Sequence, residues 1–598
     1  MSTERMTERW SSPTHLLLGI GSILVGIALF AASLSPEQLA VLTGAGLAIV
    51  GVALIVRSEQ RSPRWLRLGS GAALIALGGA MALWPDSGAP WLAWGVAAAL
   101  VLHGIVTGVG AWFGDEDRRA SGLIAALAGI VFGIVAFSWP VLTLALFRLG
   151  VGAWFLFLGA RMLFELWPAR AGRDPRPARS AASGIRATIL RWGRTLSAVL
   201  ALLLAAGVAY GSAQLLSGTP LPAPGAFYTP PDQVPSEPGS LIRSEPLTTG
   251  VPAGAQAWRI LYTTTHPDGS PAVSSGTVLA PAKTGDDPLP LLSIAHGTTG
   301  VVDGCAPSLG QAPFSDGAGT AMAEMVTEHG WVAVTSDYVG MGTEGTAAYL
   351  VGEAEARNVL DASRAVQQLD GFATTRDTVV WGHSQGGQGS LWAGQIAEQY
   401  APELTVLGVA AFAPAADLYG LAEADKSNAG GKTVSAYIAA TWNDVFPELE
   451  LEQHLTPGSA GPVEKISALC FSGNDAIAGL LRGSQVPNQI FPDSLLAGPF
   501  GDLLKQQTPA GPWPAPVLLA QGLADPLVLP SLQQQYVDDR CTAGEAIDYR
   551  TFEGLGHVEL VGADSTLTPQ IVEWTLDRWN GEAAPSECTS STYPGTQS

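Results

Sequence analysis

The 598-residue sequence predicts two architectures in series: an all-α bundle of transmembrane helices, then an α/β domain built on a mostly parallel sheet. Three observations predict this. Apolar runs crowd the first 216 residues. After residue 240, short β-rich runs alternate with segments of helical period. The charge also changes sign between the halves: residues 1–216 hold 17 Arg, no Lys and 10 Asp plus Glu, a charge of +7, which leaves −28 to residues 217–598 against the whole-chain −21. A chain this long exceeds one compact core.

A bilayer crossing takes about 20 apolar residues as helix. Seven stretches qualify, near 15–34, 38–56, 68–85, 91–113, 120–138, 141–163 and 195–216. The first follows Arg5 and Arg9 like a signal peptide, but six more spans follow without a cleavage site, so it reads as an anchor. Arginine placement sets the orientation. Arg57, Arg61, Arg64 and Arg67 lie between spans two and three, Arg118 and Arg119 between four and five, and seven more from Arg170 to Arg194 between six and seven. The alternate gaps, around Pro36, Pro85–Asp86 and Trp139–Pro140, carry no basic residue. Every basic gap therefore falls on the cytoplasmic side, with the N-terminus, and an odd number of spans delivers residues 217–598 to the opposite face. His103 and Arg148 are ionisable residues inside spans. Their bland reading, a neutral imidazole and a snorkelling guanidinium, outweighs a transport role.

The first six spans repeat. Leu17–Gly21, Leu68–Gly71 and Gly122–Ala125 open similar helices about fifty residues apart, each ending near Pro36, Pro85 or Pro140 and followed by a second Gly-rich helix. The unit is a helical hairpin used three times, with small residues that permit close contact in lipid. This pattern resembles the HdeD-like short-repeat membrane family. The division is then 1–166 for the six-span domain, 167–194 for a basic cytoplasmic loop and 195–216 for the seventh span. Residues 217–240, rich in proline, read as a semi-extended tether.

In the second half, Trp258–Thr264 and Ser275–Ala280 read as antiparallel strands. Pro290–Ala295, Trp331–Ser336, Thr378–Trp381, Val406–Ala411 and Val517–Ala520 read as further strands, and Ala354–Leu369 and Gly387–Tyr400 as helices. Strands separated by helices predict a sheet covered on both faces. One run carries chemistry. Gly382-His383-Ser384-Gln385-Gly386 is a G-x-S-x-G sequence at the end of a strand and the start of a helix, the setting of a nucleophile elbow. Its flanking glycines, Gly382 and Gly386, leave room for a strained turn.

A nucleophilic serine needs a base, and the base an orienting acid. Downstream of Ser384 stand two histidines. His557 ends a strand that runs into glycines, suited to a loop over the elbow; His454 lies in a polar segment and reads as a surface residue. Asp525 follows the apolar strand Pro516–Ala520, where an orienting acid belongs, although Asp-Pro also marks ordinary turns. The order Ser, Asp, His is that of the α/β-hydrolases. An oxyanion requires two backbone donors. Gln385, just after the nucleophile, and Thr298, in His296-Gly297-Thr298-Thr299-Gly300, suit that role, with His296 structural.

With these residues assembled, the second half resembles the secretory (lipase A type) lipase family. The matching runs are Pro238–Ile242, Ala295–Gly300, Cys305–Ser308, Asp337–Gly342, Gly382–Gly387, Gly522–Asp525 and Gly556–His557. The resemblance implies an α/β-hydrolase fold over 241–590 with a helical cap at about 415–510; the small, polar residues 591–598 read as a tail. It also implies a Ser384–Asp525–His557 triad with Thr298 and Gln385 as oxyanion donors, and pairing of Cys305 with Cys470 and Cys541 with Cys588, out of three possible connectivities. No metal or other cofactor is expected, and the acidic balance argues against nucleic acid. The expected partners are an acyl ester or lipid and the bilayer. The predicted activity is carboxylic ester hydrolysis by a membrane-anchored extracytoplasmic lipase or carboxylesterase. An envelope acyltransferase with the same triad, or a membrane stress or scaffold protein with an inactive hydrolase domain, are the alternatives.

Overall fold

The computed structural model describes residues 64–113, 116–165, 185–315 and 318–596, with scattered positions between 20 and 48. Most of the expected spans at 15–34 and 38–56 lies outside the described residues, as do Arg5, Arg9, Arg57, Arg61 and the gap from Arg170 to Arg179. The chain forms two compact units, and the main boundary between them falls between Leu216 and Ser217.

The first unit contains α1 (Arg64–Leu83), α2 (Pro85–Phe113), α3 (Glu116–Ser138), α4 (Pro140–Glu165) and α5 (Ile185–Leu216). Pro85 and Pro140 open α2 and α4, the first-turn position where a missing N–H costs no helical bond, so each forces a break after the preceding tryptophan. Among the described residues, Trp91–Phe113, Arg119–Ser138 and Arg191–Leu216 are long and apolar enough to cross a membrane, while Gly71–Leu83 and Pro140–Ala153 are shorter apolar helices. Small residues bring α2 and α3 together: a Cβ on Gly104 would lie 2.8 Å from the Ala126 carbonyl. Leu102, Trp112 and Leu203 face outward with about 60% of their surface exposed, so these helices are apolar on the outside as well as inside.

The second unit is built on one ten-stranded sheet ordered β1-β2-β3-β5-β4-β6-β7-β8-β9-β10. The strands are β1 (Leu241–Leu247), β2 (Ala255–Thr265), β3 (Pro271–Pro281), β4 (Leu289–Ala295), β5 (Val332–Ser336), β6 (Thr374–His383), β7 (Thr405–Phe412), β8 (Val517–Gly522), β9 (Ile547–Glu553) and β10 (Thr589–Pro594). The first three pair antiparallel, β3 meets β5 antiparallel, and from β5 to β10 every pairing is parallel. Strand alternation divides the apolar side chains between two faces. Val379, Trp381 and Phe412 pack with α6 (Gly319–Thr327) and α17 (Leu567–Trp579). Val380 turns to the other face, against α7 (Gly352–Val366) and α8 (Gln385–Tyr400). This is an α/β-hydrolase fold. Between β7 and β8 the chain leaves the sheet for a helical cap that runs from α9 (Leu418–Asp425) and α10 (Ala429–Val445) through α11 (Leu451–His454), α12 (Ala460–Ser467), α13 (Gly473–Ser484) and α14 (Asp493–Leu496) to α15 (Pro499–Gln506). The remaining helix, α16 (Pro530–Thr542), follows β8.

Two expectations need correction. The proline-rich stretch from 217 is no free tether. Thr219 donates from its backbone N and its hydroxyl to Asp475 Oδ1 at 2.6 and 2.8 Å, Tyr228 is buried with its hydroxyl 2.8 Å from that of Ser308, and Gly239 N donates to the Thr263 carbonyl at 2.7 Å. Prolines restrict the unfolded chain, so laying this segment on the domain costs less entropy than its lack of secondary structure suggests. The tail also differs: residues 591–594 are no polar extension but the end of β10, paired in parallel with β9, with Tyr593 stacked on Phe552 at 5.6 Å. As an edge strand, β10 leaves most of its side chains in solvent, which is why its residues are polar.

Candidate active site

Ser384 sits between β6 and α8 with φ 58° and ψ −118°, a region costly for any residue with a Cβ. The glycines on either side make it possible. A Cβ on Gly382 would stand 1.9 Å from the Gly386 carbonyl oxygen, and one on Gly386 would stand 1.9 Å from that of Ala295. Neither clash can be relieved by a side-chain rotation, so both positions require glycine. The turn is held from the neighbouring strand, where the Phe412 carbonyl accepts from Ser384 N at 2.9 Å.

Two further loops bring a histidine and an aspartate to this serine. Asp525 follows β8 and His557 follows β9, so both side chains rise from the carboxyl ends of parallel strands, as the serine does. Ser384 Oγ donates to His557 Nε2 at 2.8 Å, and His557 Nδ1–H donates to Asp525 Oδ2 at 2.7 Å. All three are less than a tenth exposed. Burial alone would raise the Asp525 carboxyl, but the hydrogen bond and charge of His557 and the N–H groups of Leu527 and Val528, at 2.8 and 2.9 Å from Oδ1, outweigh it and hold the group below the usual carboxylate range. Asp525 is thus an anion that fixes the ring tautomer and leaves Nε2 free to accept a proton.

The other residues singled out in the sequence lie as follows. Thr298 and Gln385 line the same cavity as Ser384, with Gln385 the first residue of α8. His296 stays away from the serine: its ring packs on Tyr338 at 4.3 Å and its Nδ1 donates to the Gly297 carbonyl at 2.6 Å. His454 ends α11 on the cap surface. Disulfides join Cys305 to Cys470, tying the loop after β4 to the cap, and Cys541 to Cys588, tying α16 to the approach to β10.

The cavity measures about 60 Å³. Its walls are apolar, with Leu418 and Leu421 from α9, Ile438 from α10, Phe471 from the loop after α12 and Val528 from the loop after β8. Among the described residues Asp425 is the one acid on its wall; burial raises its carboxyl to about 6, despite a hydrogen bond from Asn428.

Two residues of the site are not among those the sequence reading selected. His383, the variable position inside the elbow, donates from Nε2 to the backbone carbonyl of His557 at 2.9 Å, with the two rings 4.7 Å apart. Burial, reinforced by the His557 charge, pushes it down to about 3, so it is a neutral brace for the loop that carries His557. Its place next to the serine was the available signal. Glu355, in the first turn of α7, is buried beneath Gln385 and accepts from its side-chain Nε2 at 2.6 Å. A glutamate at a helix N-terminus reads as a dipole partner, so nothing local pointed to it.

Comparison with known proteins agrees with this architecture. Residues 314–587 match the secretory lipase family model, and residues 69–132 and 124–190 match the short repeat of unknown function DUF308. The chain is 27% identical over 393 residues to the secreted triacylglycerol lipase LIP4 of Malassezia globosa, covering 62% of this chain and 83% of that protein. It is 27% identical to lipase A of Arthroderma benhamiae (62% and 81%), and 25% identical to a Mycobacterium tuberculosis protein described as probable inactive lipase MT1628 (62% and 86%). The X-ray structure of Candida antarctica lipase A superimposes with a TM-score of 0.52 at 19% identity, over 63% of this chain and 91% of that one.

Proposed function

We propose that this chain is a membrane-anchored carboxylic ester hydrolase, of lipase or carboxylesterase type, whose second unit works outside the cytoplasm. One observation carries the reading: an unbroken hydrogen-bond relay from the hydroxyl of Ser384, a residue that lines an apolar cavity, through His557 to Asp525. Ser384 Oγ attacks the ester carbonyl as its proton passes to His557 Nε2. The imidazolium, stabilised by the Asp525 anion, then protonates the departing alcohol. Water attacks the acyl-enzyme with His557 again as base, which releases the acid and restores the hydroxyl. The backbone N–H groups of Thr298 and Gln385 stabilise the oxyanion of each tetrahedral intermediate, and the cap cavity takes the acyl chain. The names of the Malassezia and Arthroderma relatives, both lipases, favour an ester or lipid substrate.

The anchoring part of the reading rests on the apolar helices and the arginine pattern. Six spans as three hairpins, followed by α5 as the seventh, put the N-terminus in the cytoplasm and residues 217–598 across the membrane. Protease added to intact spheroplasts should therefore remove the second unit; protection of that unit until lysis would overturn the orientation.

The activity is tested with the full chain in detergent, using p-nitrophenyl esters and a fluorophosphonate probe. Wild type should turn over ester and label. Ser384→Ala should not label, and its kcat should fall about 10⁶-fold, as when a triad nucleophile is lost. A folded wild type that neither labels nor hydrolyses would overturn the reading in favour of an inactive domain, the description carried by the mycobacterial relative.

A further inference from the structure

We infer that Glu355 is a positioning residue that locks both oxyanion-side residues, Gln385 and Thr298, into one hydrogen-bonded circuit. The inference rests on the hydrolase reading above. Glu355 Oε1 accepts from Gln385 Nε2 at 2.6 Å and from the backbone N of Leu350 at 2.8 Å. Leu350 follows Tyr349, whose hydroxyl meets the Thr298 hydroxyl at 2.9 Å. The two loops that supply the proposed donors, one after β4 and one at the start of α8, are therefore tied to each other through Tyr349, Leu350 and a single carboxyl oxygen. Tyr349 is in turn held from the cap, where Trp442 Nε1 donates to its carbonyl at 2.8 Å. Leu350 has φ 58°, a conformation that a leucine adopts only when its surroundings impose it, and its N–H bond to Glu355 is one such constraint.

The carboxyl is buried, and its second oxygen, Oε2, has no hydrogen-bond partner among the described residues. An ionised carboxylate left half-satisfied in such a place is far more costly than a neutral carboxylic acid, whose unpaired O–H carries a smaller desolvation cost. Burial accordingly raises the group to about 8, against the lowering effect of the Gln385 and Leu350 bonds. The titratable neighbours are phenols, Tyr349 before α7 and Tyr338 across a small adjoining cavity, with the His296 ring behind Tyr338. From α8, Gln385 and Gly389 face the carboxyl, and Asn358 does so from its own helix; all three are uncharged. Among the described residues no cation is there to favour the anion. At neutral pH the acid form holds Gln385 without adding negative charge beside a developing oxyanion. As pH rises through about 8, the group ionises, and the new charge opposes the transition state.

The test compares wild type, Glu355→Ala and Glu355→Gln in the full chain, measuring p-nitrophenyl ester kinetics from pH 6 to 10 and the rate of fluorophosphonate labelling. Ala should lower kcat about 10- to 100-fold with KM within about twofold, because loosened oxyanion donors matter most in the transition state. Gln, whose carbonyl oxygen can accept the same two bonds, should recover most of that loss. It should also abolish the alkaline fall of kcat near pH 8 seen in wild type. The inference is overturned if folded Ala keeps kcat within twofold of wild type, or if Gln retains the wild-type alkaline limb. Should Ala fail to fold, the pH profile of Gln alone decides. An inert wild type would instead end the hydrolase reading and this inference with it, whereas an active wild type with unresponsive variants ends the inference alone.

Discussion

The rim of the sheet and the cap above it build one cavity by opposite means. On the sheet side, Ser384, Asp525 and His557 each stand at the carboxyl end of a parallel strand, and every one is fixed by bonds to its own loop or to a neighbouring strand. On the cap side, α9 and α10 contribute Leu421, Val434 and Ile438, side chains that fill space but make no directional bond. On the proposed mechanism the first arrangement sets reactivity, since hydrogen-bond geometry is sensitive to small displacements. The second, on the same proposal, sets which acyl chains fit, since apolar walls discriminate by volume. Reaction rate and substrate preference should therefore separate by region.

Asp525→Asn is the sharpest probe of the sheet side. An amide at this position presents N–H where Nδ1–H now donates, which drives the ring to the tautomer that cannot accept the serine proton. On the precedent of such substitutions, kcat should fall about 10⁴-fold with folding retained and little change in chain-length preference. Steady-state kinetics over a series of esters checks this. A variant that keeps wild-type kcat would show that the acid is dispensable and that the two sides do not divide the labour.

The same division explains what was legible in the sequence. The elbow could be read because its requirements are local: Gly382, Ser384 and Gly386 lie within five residues, and each glycine is enforced by a backbone atom less than 2 Å from a would-be Cβ. Asp525 and His557 could be read from strand-then-turn patterns in a known order. Glu355 could not, since its partner Gln385 lies thirty residues away and its own surroundings look like any helix start. The walls of the cavity could not either. Leu421, Val434 and Ile438 sit on helices whose apolar residues also pack the cap, and only the fold decides which of them face the serine. At the sheet margins β1 and β10 are part-exposed edge strands, so they lack the apolar runs that marked β4, β6 and β8. The packing of the segment from 217 is not legible in the sequence, because prolines signal extended backbone without saying what it lies against, and only the burial of Tyr228 decides that. In the first unit the apolar runs near 68–85, 91–113, 120–138, 141–163 and 195–216 coincide with α1 to α5, because helical hairpins broken at proline are a local property.

The smallest expected effect lies on the cap side and tests it alone. Val434 lines the cavity but is only partly buried, so a larger side chain there can grow into the cavity without displacing the core of the cap. Val434→Phe should fill much of the roughly 60 Å³ available. A pocket that loses this volume loses the contacts of the distal methylenes first, and discrimination by one or two such groups is worth about 1–3 kcal/mol. The kcat/KM for a decanoate ester should therefore drop about 10-fold relative to acetate, while acetate turnover and fluorophosphonate labelling stay near wild type. Parallel measurement of the two esters makes the ratio insensitive to the amount of folded enzyme. If both esters slow together, the cap wall bears on the reacting atoms as well as the chain. If neither slows, the acyl group takes another path out of the site, and the contrast between a reactive rim and a selective cap fails.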